Sequence, residues 1–190
     1  MLIIYAHPNK DGHSGAILKE VERILGERKI EYEMMDLYTM NYDPVLYMNE
    51  HYTSGGRKVS QENKEIQKRI KREDKFIFIY PTWWNNMPAI LKGFFDKVFV
   101  NGFAFKYINS IPRGLLKGKA VIFSTTGAPR LWAWLLARDR ALKLVTKDVL
   151  RFCGVKGKGY SIGRANKFNE RQERKVKKMV NKGLKHLNVI

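Results

Sequence analysis

The fold of the chain is decided by one stretch, which reads Phe76-Ile77-Phe78-Ile79-Tyr80-Pro81-Thr82-Trp83-Trp84-Asn85-Asn86-Met87-Pro88. Its first five residues are aromatic or β-branched and predict a short buried strand. Pro81 lacks the N–H that a sheet ladder needs and is expected to end the strand. Pro88 has the fixed φ that suits the first residue of a helix. The loop between the prolines therefore follows the carboxyl end of a buried strand, where open parallel sheets bind ligands.

That loop contains two flat aromatic rings, Trp83 and Trp84, followed by two amide side chains. Such a set suits a large, planar, polar ligand. The competing interpretation is core packing, which is what most aromatic residues do. The position at the end of a strand favours the ligand, because side chains there lie at the sheet edge.

The composition limits the classes of protein to which the chain can belong. A chain of 190 residues with 44% hydrophobic residues is long enough for one α/β domain with a sizeable core. The single cysteine, Cys153, rules out a disulfide or a Cys-based metal site within the chain and is expected to be buried. Residues 1–6 are too short for a secretion signal, and runs such as 131–137 are too short for a membrane span. We therefore predict a cytoplasmic protein with no metal site.

The net charge of +18 is concentrated near the C-terminus, where residues 151–190 carry 12 Lys and Arg against two acidic residues. Such a charge favours anionic partners: nucleotides, phosphates, nucleic acid or acidic lipid. A solvated basic surface is an equally good interpretation, because charge alone does not locate a site. No recognition motif supports nucleic-acid binding, so we do not predict it.

The N-terminal segment predicts a phosphate-binding arrangement. An apolar strand, residues 2–6, is followed by a polar loop over residues 7–14 and a helix that starts near Ser14, a plausible N-cap. A helix N-terminus after a strand presents free N–H groups to an anion. The loop lacks the glycine patterns of dinucleotide and P-loop sites. Its candidate donors are Lys10, His13 and Ser14.

Five strands alternating with five helices predict a parallel sheet with helices on both faces, in one domain over residues 1–190. Strands are predicted over 2–6, 30–35, 76–80, 119–124 and 158–162, and helices over 14–28, 60–73, 88–100, 131–152 and 169–187. The fourth helix carries a candidate break near Arg138-Asp139-Arg140, and residues 37–59 and 102–118 are long connections. The flavodoxin-like strand order 2-1-3-4-5 would place loops 7–14, 81–87 and 125–128 side by side.

Four motifs in this order carry a family resemblance. They are Ala6-His7-Pro8, Asp36-Leu37-Tyr38-x-Met40-Asn41-x-x-Pro44, the long run Pro81–Phe99, and Thr125-Thr126-Gly127. On these motifs the chain resembles the NAD(P)H:quinone oxidoreductase family with flavodoxin-like fold. That family includes DT-diaphorase-type quinone reductases, modulators of drug activity and flavoprotein ancillary subunits of potassium efflux systems.

The resemblance implies a flavin, FMN or FAD, that is held by the three loops. The matching cofactor positions are His7 and Ser14 near the phosphate, with His13 beside them; Pro81, Thr82, Trp83, Trp84 and Asn85 against the ring; and Thr125, Thr126 and Gly127 at its pyrimidine edge. It also implies NADPH or NADH as hydride donor and a quinone-like acceptor, in a two-electron ping-pong cycle. The flavin supplies this chemistry, and the protein positions and tunes it.

One family feature is missing. The family's tyrosine and histidine for proton handling correspond to Ala133 and Asp139 here, so their role is not carried over. Tyr107 does match a family tyrosine at the substrate mouth and is expected to contact substrate. Arg130 or Arg138 is a candidate for stabilising reduced-flavin charge or a nicotinamide phosphate.

The resemblance implies a homodimer, for which the apolar run Leu131–Leu136 is a candidate interface; core packing is the alternative. It also leaves a second function open. The chain is alternatively a regulatory flavoprotein subunit bound to a membrane transporter, in which case its charge would suit contact with an acidic membrane surface or partner domain.

Overall fold

The computed structural model describes residues 1–51, 58–135 and 138–190. Its strands are β1 Leu2–Tyr5, β2 Glu33–Asp36, β3 Lys75–Pro81, β4 Phe105–Ile108, β5 Ile111–Gly114, β6 Lys119–Thr125 and β7 Lys156–Ile162. Its helices are α1 His13–Glu27, α2 Gln61–Arg72, α3 Ala89–Val98, α4 Arg130–Leu135, α5 Arg140–Lys143 and α6 Glu170–His186. A 3₁₀ turn covers Met48–Glu50, and a π-helical stretch, Leu144–Arg151, continues α5.

Five of the strands form one parallel sheet in the order β2-β1-β3-β6-β7. Counted along the sheet alone this is 2-1-3-4-5, so the predicted flavodoxin-like fold is confirmed. Tyr5 pairs with Asp36 on one side and Ile79 on the other, and Tyr80 pairs with Ser124. This register brings the carboxyl ends of β1, β3 and β6 to one edge of the sheet, together with the loops that follow them.

The three central strands β1, β3 and β6 are buried almost throughout and are covered on both faces of the sheet. Ile3 and Tyr5 pack with the apolar sides of α1 and α6, whereas Leu2 and Ile4 pack with α2 and α3 on the opposite face. Buried apolar runs of this kind are typical of parallel strands between helices. Within the described ranges, no helix combines the length and apolar character that crossing a membrane requires.

The start of α1 differs from the prediction. Gly12, not Ser14, is the N-cap, and Ser14 lies inside the first turn, where its hydroxyl is buried. Pro88 likewise serves as the N-cap of α3 instead of its first helical residue. In both helices no side chain caps the first turn.

The segment 102–118 is not an irregular connection, because it contains the antiparallel hairpin β4–β5. Phe105 of this hairpin packs against Phe152, with ring centroids 4.9 Å apart. Sequence patterning missed the hairpin because its strands are four residues each and are mostly exposed.

The predicted break in the fourth helix is confirmed. Arg138 and Asp139 have left-handed backbone conformations, with φ of 48° and 55°, and they separate α4 from α5. Residues 136–137 of the predicted helix, and 52–57 of the long connection after β2, lie outside the described residues. Cys153 is buried as expected, and burial raises the pKa of its thiol to about 12, which suppresses its reactivity.

Candidate functional site

The loops after β1, β3 and β6 are joined by hydrogen bonds. The hydroxyl oxygens of Ser14 and Thr125, both buried, lie 3.2 Å apart. The backbone N–H of Thr82 donates to the carbonyl of Thr125 at 2.7 Å, and the Thr82 and Ser124 hydroxyl oxygens are also 2.7 Å apart. The structure therefore brings loops 7–14, 81–87 and 125–128 together at one sheet edge, as the strand order predicted.

The first and second loops also meet directly, because the rings of His7 and Trp83 lie 6.0 Å apart between centroids. The Nδ1 of His7 accepts a hydrogen bond from the backbone N–H of Asn9 at 3.0 Å. Burial lowers the pKa of His7 below its ordinary value of 6.5, which favours the neutral ring at pH 7. With Nδ1 accepting, the proton of the neutral ring sits on Nε2, which becomes a hydrogen-bond donor.

The N-terminus of α1 provides an anion-binding geometry. Gly12 has no side chain to cap the helix, and no acidic residue lies in the first turn. His13 is buried, and its Nε2 has no hydrogen-bond partner in the described part of the chain. Its ring packs edge-on against Phe168 at 5.1 Å, and burial lowers its pKa. An unpartnered imidazole beside uncapped helical N–H groups suits a phosphate.

Lys10, predicted as a further phosphate donor, has another role. Its Nζ lies 2.6 Å from Asp36 at the end of β2, so its charge is neutralised there. A Cβ at Gly15 would overlap the backbone carbonyl of Lys10. The loop thus lies directly on the helix, and glycine is required at this close approach.

The second loop turns through a strained conformation at its exposed tip. Trp83 and Asn86 exchange both backbone hydrogen bonds, at 3.0 and 2.9 Å, around Trp84 and Asn85, whose φ values are 52° and 57°. Two consecutive positive φ values define a type I′ turn, which disfavours a bulky residue. Trp84 is nevertheless 99% exposed and Trp83 is 43% exposed. Backbone strain at a residue with an exposed indole indicates a candidate ligand-binding surface.

The third loop is supported by the segment after β7. The N–H of Thr126 donates to Ile162 at 2.9 Å, and the N–H of Ala165 donates to Thr126 at 3.0 Å. A Cβ at Gly127 would lie 3.0 Å from Oδ1 of Asn166. Sequence reasoning did not include Asn166 or the Phe168 that covers His13. The only available signal was their position after the fifth strand, at the same edge of the sheet.

Several N–H groups in these loops are already used. Those of Thr82, Trp83 and Asn86 bond within the protein. Among the described residues, the N–H groups of Trp84, Asn85 and Gly127 donate to no acceptor within the protein. The donors that a planar ligand would meet are therefore the tip of the second loop and the glycine of the third.

Tyr107, the predicted substrate contact, lies on β4 and is 57% exposed, with its ring edge against Phe105 at 5.8 Å. The bonds and ring contacts that join the three loops do not include it.

Asp139, which replaces a family histidine, is the N-cap of α5. The exposed apolar residues Leu131, Trp132 and Leu135 lie together on α4.

The site can be tested for its fit to a flavin. Its first loop has an orphaned buried imidazole at a helix N-terminus, which suits a phosphate. Its second loop has an exposed indole turn, which suits a ring system. Its third loop has small residues and a free N–H, which suit close approach. The residues present therefore fit a phosphate-bearing, planar, polar cofactor.

A family model described as Flavodoxin-like fold matches residues 1–187. The chain belongs to this flavodoxin-like family. The resemblance to NAD(P)H:quinone oxidoreductases is confirmed by the named relatives.

Three relatives within the family illustrate the match. A Haemophilus influenzae protein named "Uncharacterized NAD(P)H oxidoreductase" is 38% identical over 119 residues, which cover 62% of this chain and 59% of that protein. Mouse ribosyldihydronicotinamide dehydrogenase (quinone) is 28% identical over 201 residues, covering 93% and 86%. The structure of an NAD(P)H:quinone oxidoreductase from Methanothermobacter marburgensis superposes with a TM-score of 0.81 at 27% identity, covering 95% and 92%. The match to the Haemophilus protein thus spans about three fifths of its length.

Proposed function

We infer that the chain is a flavin-dependent NAD(P)H dehydrogenase that reduces quinones or related electrophiles. The observation that carries this inference is the convergence of three loops, through Ser14 with Thr125, Thr82 with Thr125, and His7 with Trp83. The names of the relatives, NAD(P)H oxidoreductase and quinone dehydrogenase, support the same activity.

We propose FMN as the cofactor, with FAD as the alternative. The N-terminus of α1, His13 and Ser14 would hold its phosphate, with Nε2–H of the neutral His7 as a further donor. The second loop, from Pro81 to Asn85, would lie against the ring. Thr125, Thr126 and Gly127 would border its pyrimidine edge. Neutral donors at a helix N-terminus bind an anion without the desolvation cost of a second buried charge.

When bound, the flavin supplies two-electron hydride transfer between a nicotinamide donor and a quinone. The contribution of the chain is to orient the ring and to provide fixed N–H donors where negative charge develops. Such donors are the free N–H groups of Trp84, Asn85 and Gly127. The internal bonds of Thr82 and Trp83 hold them in place before any ligand arrives.

We also propose a homodimer and a substrate contact at Tyr107. The dimer is supported by the exposed Leu131, Trp132 and Leu135 on α4. The substrate contact at Tyr107 is supported only by the exposure of this residue and its position on the hairpin.

A single flavin-binding domain over residues 1–190 and a cytoplasmic location stay predictions. The regulatory role on a membrane transporter also stays a prediction, and no feature of the described residues favours it.

The activity is tested with purified protein, FMN, NADPH and menadione. We expect yellow protein and steady turnover, with parallel double-reciprocal plots that indicate a ping-pong cycle. A protein that cannot retain FMN or FAD, and that does not oxidise NADPH or NADH, would overturn the proposal.

A further inference from the structure

A basic groove lies beside the tip of the second loop. It has a volume of about 810 Å³ and is lined on one side by Trp84, Asn85 and Asn86. Its other wall, which follows the left-handed turn after α4, consists of Arg138, Arg140, Lys143, Leu144, Lys147 and Asp148. A groove of this size suits a ligand as large as a nucleotide.

The groove reaches the candidate redox site. Asn85 and Arg140 also line a small cavity of about 20 Å³ that extends to Thr82, Thr126 and Ser161. The same two residues therefore border both the groove and the second and third loops. A ligand whose reactive ring lies on these loops would have its distal part in the basic groove.

The charges of the groove are unbalanced. Arg138, Arg140, Lys143 and Lys147 face a single carboxylate, Asp148. Among the described residues, none of the four cations has an ion-pair partner. Some exposed lysines elsewhere do have such a partner, as Lys92 has in Asp96 at 2.6 Å and Lys177 has in Glu173 at 2.7 Å. Clustered like charges repel one another, and an anionic ligand relieves that repulsion.

The wall that carries these cations is held firmly on the sheet. The Tyr80 hydroxyl donates to the carbonyl of Ala141 at 3.1 Å. The glycines of β7 allow close packing: a Cβ at Gly159 would lie 3.0 Å from Leu142, and one at Gly157 would lie 3.2 Å from Thr146. The stretch that follows is π-helical, a rare geometry that is frequent at functional sites. The backbone that carries these cations is therefore held in a fixed position on the sheet.

A second groove, between β7 and α6, is also basic, with Arg164, Lys167, Arg171, Lys175, Lys178 and Lys182 in its lining. Its lining includes none of Thr82, Trp84, Asn85 or Thr126. Its charges therefore serve here as a matched control for the groove at Trp84.

We propose that the groove at Trp84 binds the phosphates of the hydride donor, with Arg140, Lys143 and Lys147 as specificity determinants for the 2′-phosphate of NADPH. This inference rests on the proposed function. A groove for phosphates would not recognise ribosyldihydronicotinamide, the compound in the name of the mouse relative, because that compound lacks phosphate groups. The donor order expected here is NADPH before NADH, and both before dihydronicotinamide riboside.

The test compares the wild type with Lys143→Glu/Lys147→Glu, and with Lys175→Glu/Lys182→Glu as the control of equal charge change. In the groove variant we expect KM for NADPH to rise about tenfold or more, because two cations that would contact its phosphates become carboxylates. KM for NADH should rise less, and KM for the riboside should stay unchanged. The control should match the wild type with all three donors.

A binding measurement without turnover uses adenosine 2′,5′-bisphosphate and calorimetry. We expect salt-sensitive binding to the wild type and to the control variant, and its loss in the groove variant. The neutral Lys143→Gln/Lys147→Gln variant replaces the charge reversal if that variant does not fold. Equal donor KM values in wild type and groove variant, or equal binding of the bisphosphate, would overturn the inference while leaving the activity intact. An absence of turnover with every donor would instead count against the proposed function, and the binding result would then decide the groove on its own.

Discussion

The hydroxyl oxygens of Ser14 and Thr125 lie 3.2 Å apart although 111 residues separate them in the chain. Ser14 belongs to the first turn of α1, and Thr125 ends β6. Their contact joins the loops after β1 and β6 across the end of β3. The loop after β3 is hydrogen-bonded to Thr125 through Thr82. Both hydroxyls are buried beside an uncapped helix N-terminus, which is where the proposed phosphate would bind.

Ser14→Ala removes one donor from this position and should weaken flavin binding about fivefold to tenfold, the usual effect of one hydrogen bond. Quenching of flavin fluorescence measures the affinity. Ser60→Ala is the control, because the Ser60 hydroxyl accepts from the N–H of Asn63 at 3.2 Å and caps α2. It should lower stability by about 1 kcal/mol and leave flavin affinity unchanged. Equal flavin affinities for the wild type and Ser14→Ala would contradict the assignment.

Gly15→Ala should disrupt the first loop, because the added methyl group would overlap the carbonyl of Lys10. We expect a stability loss of about 1–3 kcal/mol and a marked loss of flavin binding. Gly26→Ala is the matched control in the same helix, since its added Cβ would meet no atom within 4 Å. It should stabilise the protein by about 0.5–1 kcal/mol. Chemical denaturation of both variants measures the difference, and similar effects would show that the close approach is not required.

Trp84 is expected to lower the stability of the folded protein and to strengthen its binding of ligand. Glycine tolerates a positive φ, so Trp84→Gly should be more stable than Trp84→Ala by about 1 kcal/mol. Both variants lack the indole and should bind flavin or donor more weakly than the wild type. Thermal unfolding and flavin titration together separate the two effects. Wild-type affinity in both variants would mean that the exposed indole contacts no ligand.

The buried imidazole of His13 should make stability fall in acid. Because burial lowers its pKa below 6.5, the unfolded chain binds more protons than the folded chain between the lowered pKa and 6.5. Stability should therefore decrease as the pH falls below 6.5. In His13→Gln this decrease should be shallower, because His7 and His186 still contribute through their own lowered pKa values. Urea unfolding over a pH series measures both slopes, and identical slopes would refute the assignment.

The apolar face of α4 should mediate the proposed dimer. Leu135→Glu places a charge among Leu131 and Trp132, and it should shift the protein to monomers in light-scattering measurements. Met48→Glu, at another exposed apolar position, is the control and should leave the mass unchanged. A monomeric wild type would refute the dimer directly.

The sheet and the meeting of three loops could be predicted from sequence because parallel strands are short, continuous apolar runs with polar loops at their ends. Residues such as Ile77 and Phe78 carry that signal directly. The left-handed turn at Trp84 and Asn85 could not be predicted, because neither glycine nor a common turn pair marks it. Of the cations in the basic groove, sequence reasoning named only Arg138 as a candidate. The groove itself could not be predicted, because its two walls are far apart in sequence and are brought together by the packing of α5 on β7.

The most direct test of the account is the titration of flavin-free protein with FMN, followed by anaerobic addition of NADPH. The convergence of Ser14, Thr82 and Thr125 predicts saturable binding of one flavin per chain, weakened by Ser14→Ala but not by Ser60→Ala. It also predicts bleaching of the bound flavin by NADPH and recovery of its colour on addition of a quinone. Failure to bind either FMN or FAD, or bound flavin that no nicotinamide donor reduces, would contradict the account.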